Sequence, residues 1–144
     1  MNILYLVMIA ALGGVAVACQ GQLIGIIDKN IGTMESVFIT YGGGGLIIGI
    51  IMLVLRGGNL SSLQSIPSYT LLVGPLGLVL IAAIGYSVPR LGLVTAFTII
   101  VAVQFIIAAV IDHFGFLGAD IRHINLSRIF GICVMLAGIW LTVR

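Results

Sequence analysis

Few side chains in this chain could do chemistry, and where they stand limits what that chemistry could be. The 144 residues include six Lys and Arg, four Asp and Glu, and two His. None of the acids or bases lies near the middle of an apolar run. Glu35 comes closest, and it reads as a carboxylate at a helix N-terminus, where the dipole favours it. Proton coupling through a mid-membrane carboxylate therefore has no residue to carry it. The apolar runs hold amides, a phenol and glycines instead: Gln20 and Gln22, Tyr41, Gly42 to Gly45, and Gln104. An amide in hydrocarbon without a partner costs several kcal/mol, so each glutamine must meet another helix, a ligand or water. Gln20, Tyr41 and Gln104, with the bare backbone of Gly43 and Gly44, are the candidate contacts to a solute in a largely apolar cavity. Such groups recognise a molecule but supply no general acid, base or nucleophile. No nucleotide loop, nucleophile elbow or zinc-protease motif is present, so neither an enzyme nor a cofactor is expected. His113, His123, Asp112 and Asp120 could gather on one membrane face, but their spacing matches no compact metal site and no metal is expected.

The elements that must position these residues follow from composition. The chain is 61% hydrophobic and 7% charged, where a soluble domain has about a quarter of its residues charged. A bilayer is then the solvent, and the net charge of +2 gives no footprint for nucleic acid. The run from Leu91 to Ile111, bounded by Arg90 and by Asp112-His113, covers roughly 30 Å as a helix, the thickness of the hydrocarbon. Four further runs give spans at about 3–27, 36–55, 69–88 and 125–143. The expectation is one all-α integral membrane domain, 1–144, of five transmembrane helices.

Each span carries its own signals. The first is long enough to tilt; a cleaved leader ending in V-A-V-A-C at 15–19 competes, but no basic segment precedes it. In the second, four consecutive glycines and Gly49 leave two readings open. One is close helix packing through Gly45-x-x-x-Gly49, the other an unwound or hinged segment whose carbonyls line a cavity. Residues 57–68, with two glycines, four serines and a proline, read as a loop, and Pro75 predicts a kink in the third span. Tyr86 closes that span as an interfacial anchor. Residues 112–124 read as a headgroup-level loop, after which Asn125 caps the fifth helix and Arg128 snorkels outward. Gly131 and Gly138 suggest close packing, and Cys19 and Cys133 read as small core residues.

Helical geometry sorts the polar groups. On the fourth span Thr95, Thr98, Ala102 and Ala109 share one side, and Gln104 lies nearly opposite Thr95. Gln20 sits about 7 Å beyond the middle of its span and Gln104 about 5 Å beyond the middle of its own, in the opposite direction. Within one subunit they occupy different leaflets; in an inverted partner Gln20 would reach nearly the depth of Gln104. Structural bonds from each amide to a neighbouring helix are the competing reading. With five spans, Arg56, Arg122 and Arg128 fall on one side of the membrane and Lys29, Arg90 and Arg144 on the other. Orientation normally follows an excess of such residues on the cytoplasmic side, and here there is none. Insertion both ways and assembly as an antiparallel pair would account for that balance.

Four segments carry a resemblance: Ala18-Cys19-Gln20-Gly21, V-P-R-L-G-L-V-T-A at 88–96, V-Q-F-I-I-A-A-V-I-D-H-F-G at 103–115, and L-S-R-x-F-G-x-x-x-x-x-A-G at 126–138. Together they resemble the YdcZ-like branch of the drug/metabolite transporter superfamily, over nearly the whole chain. Ile24 and Thr40-Tyr41 stand about where such members carry asparagines, and the first span lacks the glutamate of the related small multidrug-resistance proteins. The resemblance implies a multi-pass protein of the bacterial inner membrane, one half of a ten-helix inverted-repeat transporter. It also implies a homodimer, or a heterodimer with a related five-helix chain, surrounded by membrane lipid. The expected function is secondary transport of a small metabolite or drug-like solute; a non-transporting scaffold subunit of a heteromeric complex is the alternative.

Overall fold

A computed structural model describes residues 3–55 and 57–143. Arg56 and Arg144, two of the basic residues in the topology count, lie outside the described residues. The protein is all-helical, with no strand among the described residues. The five long helices are α1 (Ile3–Ile31), α2 (Thr33–Leu55), α3 (Val73–Leu91), α4 (Leu93–Phe114) and α5 (Leu126–Val143). α1, α2, the helical run Ser68–Leu91 that contains α3, and α4 are long and apolar enough to cross a bilayer, and α5 is a shorter apolar helix. This is a five-helix membrane protein, divided into two compact units, Met1–Arg90 and Leu91–Arg144.

In the first unit a single residue, Gly32, joins α1 to α2, at a φ of 116° that favours glycine. Its amide donates to the Asp28 carbonyl (3.0 Å), and its own carbonyl accepts from the Ser36 amide (3.1 Å). The amide and carbonyl of Gly32 are thus both paired where one helix ends and the next begins. α1 buries Gly21, Ile24, Gly25 and Asp28, and α3 buries Ile81, Ile84, Gly85 and Val88. Both sets repeat as i, i+3, i+4, i+7, one stripe on each helix. The stripes meet closely, since a Cβ built on Gly25 would lie 2.9 Å from Val88 Cγ1.

One expectation in this unit is corrected. The stretch 57–68 is not all loop, because a 3₁₀ segment forms over Leu60–Ser65 and a second over Ser68–Leu72. Ser65 Oγ donates to the Ser62 carbonyl (2.7 Å), so serine hydroxyls tie down turns that the composition alone leaves open. Pro75 is the third residue of α3, just after the 3₁₀ segment Ser68–Leu72 gives way to α-helix within the span Ser68–Leu91.

In the second unit Gly92 (φ 83°) caps α4 at its start, accepting from the Ala96 amide (3.1 Å), and left-handed Gly115 (φ 68°) caps its end. α4 buries Ala96 and Ala102, with Thr95, Thr98 and Ala109 half-buried, while Gln104 is exposed. The connection to α5 is tied back to α4 twice. Arg122 donates its amide to the Asp112 carbonyl (2.8 Å), and Ile124 donates its amide to His113 Nδ1 (3.2 Å). Asn125 Oδ1 then accepts from the Arg128 amide (2.9 Å), which is an N-cap for α5.

Candidate functional site

The residues singled out from sequence are distributed over both units. Gln20 is exposed on α1, and Gln104 is exposed on α4. Neither amide has a hydrogen-bond partner among the described residues. Tyr41, 40% exposed on α2, lays its hydroxyl against Gly77 of α3, where a Cβ would collide with it. Gly43 and Gly44 lie in unbroken helix, with nothing within 4 Å of the place a Cβ would occupy. An unwound turn there is therefore not the form α2 takes. Freeing carbonyls at that depth costs several kcal/mol per group, more than the roughly 1 kcal/mol of helix propensity each glycine gives up. Gly45, Gly49, Gly131 and Gly138 are open in the same way, with no packing partner within 4 Å among the described residues.

A polar centre that the sequence reading missed lies where α1, α2 and α3 converge. Asp28, in the last turns of α1, has a side chain only 4% exposed, and its Oδ2 pairs with Arg90 Nη1 of α3 at 3.5 Å. Arg90 is half exposed; it also donates to the Tyr86 carbonyl (2.6 Å), and its guanidinium carbon stands 3.6 Å from the centre of the Tyr86 ring. Tyr86 thus holds the arginine rather than serving only as an interfacial anchor. Ser36 of α2 is fully buried, and its hydroxyl donates to the Thr33 carbonyl (2.8 Å). Gly85 admits all three groups: a Cβ there would lie 3.1 Å from Ser36 Oγ, 3.2 Å from Ile24 Cγ2 and 3.3 Å from Asp28 Oδ1. Asp28 Oδ1 is buried and accepts no hydrogen bond.

The sequence did carry a signal for this centre. Asp28 completes the stripe begun by Gly21, Ile24 and Gly25, and a small-residue stripe ending in a carboxylate marks a carboxylate packed against a neighbour. Judging each charge by its depth in the span overlooked that protein, rather than lipid, buries this one.

In the second unit Arg128 does not simply snorkel. Its Nη2 pairs with Asp112 Oδ2 at 3.5 Å, and its Nη1 donates to the Arg122 carbonyl at 3.3 Å. The pair closes one end of a hollow of about 460 Å³ between α4 and α5, floored by Phe105, Ala109 and Gly131. His113 is used for loop closure, its ring edge-on to Phe114 (4.8 Å) and near His123 (5.5 Å). Cys19 and Cys133 are free and exposed rather than in the core, a position an apolar thiol takes readily when the surroundings are lipid.

No curated protein and no solved structure matches the chain. A family profile described as "Putative inner membrane exporter, YdcZ" matches residues 5–141, nearly the full length. With helices suited to a bilayer and a polar centre built by protein packing, the chain belongs to this YdcZ family, as a multi-pass inner-membrane protein of the transporter class.

Proposed function

We propose that this chain is the subunit of a secondary transporter that moves a small metabolite or drug-like solute across the inner membrane as an antiparallel dimer. The observation that carries the reading is the pair of unpartnered, exposed amides, Gln20 and Gln104, on helices that stand in the bilayer. An amide at that depth needs a partner, and the described residues provide none. A second, inverted copy brings the Gln20 of one subunit to nearly the depth of Gln104 in the other, giving two mixed pairs around one cavity. Gly45 and Gly49, four residues apart on one side of α2 and both open, suit close approach of another helix. Tyr41 would contribute a phenol from the same helix. A related five-helix chain could take the place of the second copy.

Reconstitution of the purified chain into proteoliposomes tests this. Flux of a radiolabelled metabolite panel or a drug-like dye is expected from the chain alone, and Gln104→Leu should abolish it while leaving membrane insertion intact. A strict need for a different chain would point to a heterodimer or a scaffold subunit, and unaffected flux in Q104L would reduce Gln104 to packing.

A further inference from the structure

We infer that the hollow between α4 and α5 binds a zwitterionic phospholipid, one acyl chain lying in the hollow and the headgroup phosphate and ammonium resting on Arg128 and Asp112. The site lies wholly within the second unit. Two independent observations carry it, the form of the hollow and the ion pair at its end.

Phe105, Ala109 and Asp112 of α4 and Arg128, Gly131 and Met135 of α5 line the hollow, which has a volume of about 460 Å³. Asp112 and Arg128 stand at one end, and Phe105 and Met135, each seven residues further along its helix, lie about 10 Å deeper. A second hollow of about 280 Å³ shares Met135 and carries the trough on past Val101 and Ala102. From Asp112 to Val101 is eleven residues, or about 16 Å, close to half of the roughly 30 Å hydrocarbon layer. A trough that is charged at the helix ends and apolar through the depth of one leaflet has the polarity and length of a lipid. The space exists because small residues line it. At Gly131 nothing lies within 4 Å of the place a Cβ would occupy.

The ion pair selects the headgroup. Arg128 Nη2 stands 3.5 Å from Asp112 Oδ2, and Nη1 stands 3.3 Å from the Arg122 carbonyl. Both are longer than the roughly 2.7–2.9 Å of a charge-assisted hydrogen bond, and the two side chains are 37% and 36% exposed, so each charge is open to a further group. An anionic headgroup on Arg128 would meet the Asp112 carboxylate beside it, and a lone cation on Asp112 would meet the guanidinium. A headgroup with both signs satisfies both. Asp120 and Arg122, the other ionised side chains of the α4–α5 connection, are exposed and opposite in sign, so no surplus of positive charge draws an anionic lipid here.

Native mass spectrometry of the purified full-length chain, released from detergent containing equal amounts of phosphatidylethanolamine and phosphatidylglycerol, tests the site. The wild type should keep one phosphatidylethanolamine per chain in preference to phosphatidylglycerol, whose headgroup carries the phosphate alone. Arg128→Gln, which removes a charge-assisted contact, and Gly131→Leu, which fills the hollow and leaves the charges, should each cut that retention about tenfold. Asp112→Asn should turn the preference toward phosphatidylglycerol. Gly14→Leu, at an equally open glycine of α1, should change nothing. Equal retention of the two lipids by the wild type, or retention unchanged in either R128Q or G131L while circular dichroism shows helix, overturns the proposal. So does a lipid-free wild-type dimer that G131L splits, because a second copy then fills the hollow. No flux is measured, so a failure here leaves the transporter reading standing, and absent flux in proteoliposomes leaves this site standing.

Discussion

Gly25 and Gly43 are the same residue type on apolar helices, yet they do opposite work. Gly25 is buried against Val88, whose Cγ1 would lie 2.9 Å from an added Cβ; Gly43 has nothing within 4 Å. A methyl at position 25 must displace a β-branched side chain held on its own helix, and overpacking of that kind costs about 1–3 kcal/mol. Gly25→Ala is therefore expected to lower the unfolding stability of the detergent-solubilised chain by that amount. Gly43→Ala should change it by no more than about 1 kcal/mol, in the stabilising direction, from helix propensity. Equal losses in the two variants would show that the α1–α3 contact is not where the stability lies. The comparison also separates what sequence can tell about glycine from what it cannot. The types and spacings were legible, but which glycine is filled by a neighbour depends on a helix about sixty residues away in the chain.

At the scale of helices, most of the fold was legible because lipid imposes a simple rule. A span must run some twenty residues without charge, and such runs can be counted. Helix ends were harder, since they depend on local bonds rather than on apolarity. α1 continues to Ile31, past Asp28 and Lys29, because Asp28 is sheltered by α3 and Gly32 ends the helix by its backbone conformation. α5 shows the converse case, in which one side chain sets the start. Asn125 accepts the Arg128 amide at 2.9 Å, and losing such a cap typically costs about 1 kcal/mol. Asn125→Ala should lower stability by roughly that much, with faster amide exchange confined to the first turn of α5. Uniformly faster exchange along the helix would mean that Asn125 holds more than its end. The ion pair between Arg128 and Asp112 also joins the start of this helix to α4, although both side chains are about one-third exposed and the pair is correspondingly screened.

For the whole molecule, the family and the membrane architecture could be read from sequence, and the solute contacts could only be nominated. Gln20 and Gln104 have no hydrogen-bond partner among the described residues, so neither the sequence nor the fold of those residues completes their surroundings. The balance of basic residues between the two sides belongs to this scale as well. If the chain inserts both ways, a tag at the C-terminus should be reached by impermeant reagent from each side of the membrane in comparable amounts, in cells expressing this chain alone. Accessibility from one side only would eliminate dual insertion of a homodimer and leave the inverted arrangement to a differently oriented relative.

The joint at Gly32 has a mechanical consequence. With one residue between α1 and α2 there is no slack to absorb a change of angle. Gly44 stands twelve residues beyond Gly32, about 18 Å along the helix axis, so a swing of about 10° about the joint carries it about 3 Å sideways. Small torques at the buried end of α1 are thereby geared up into ångström-scale displacement of Gly44.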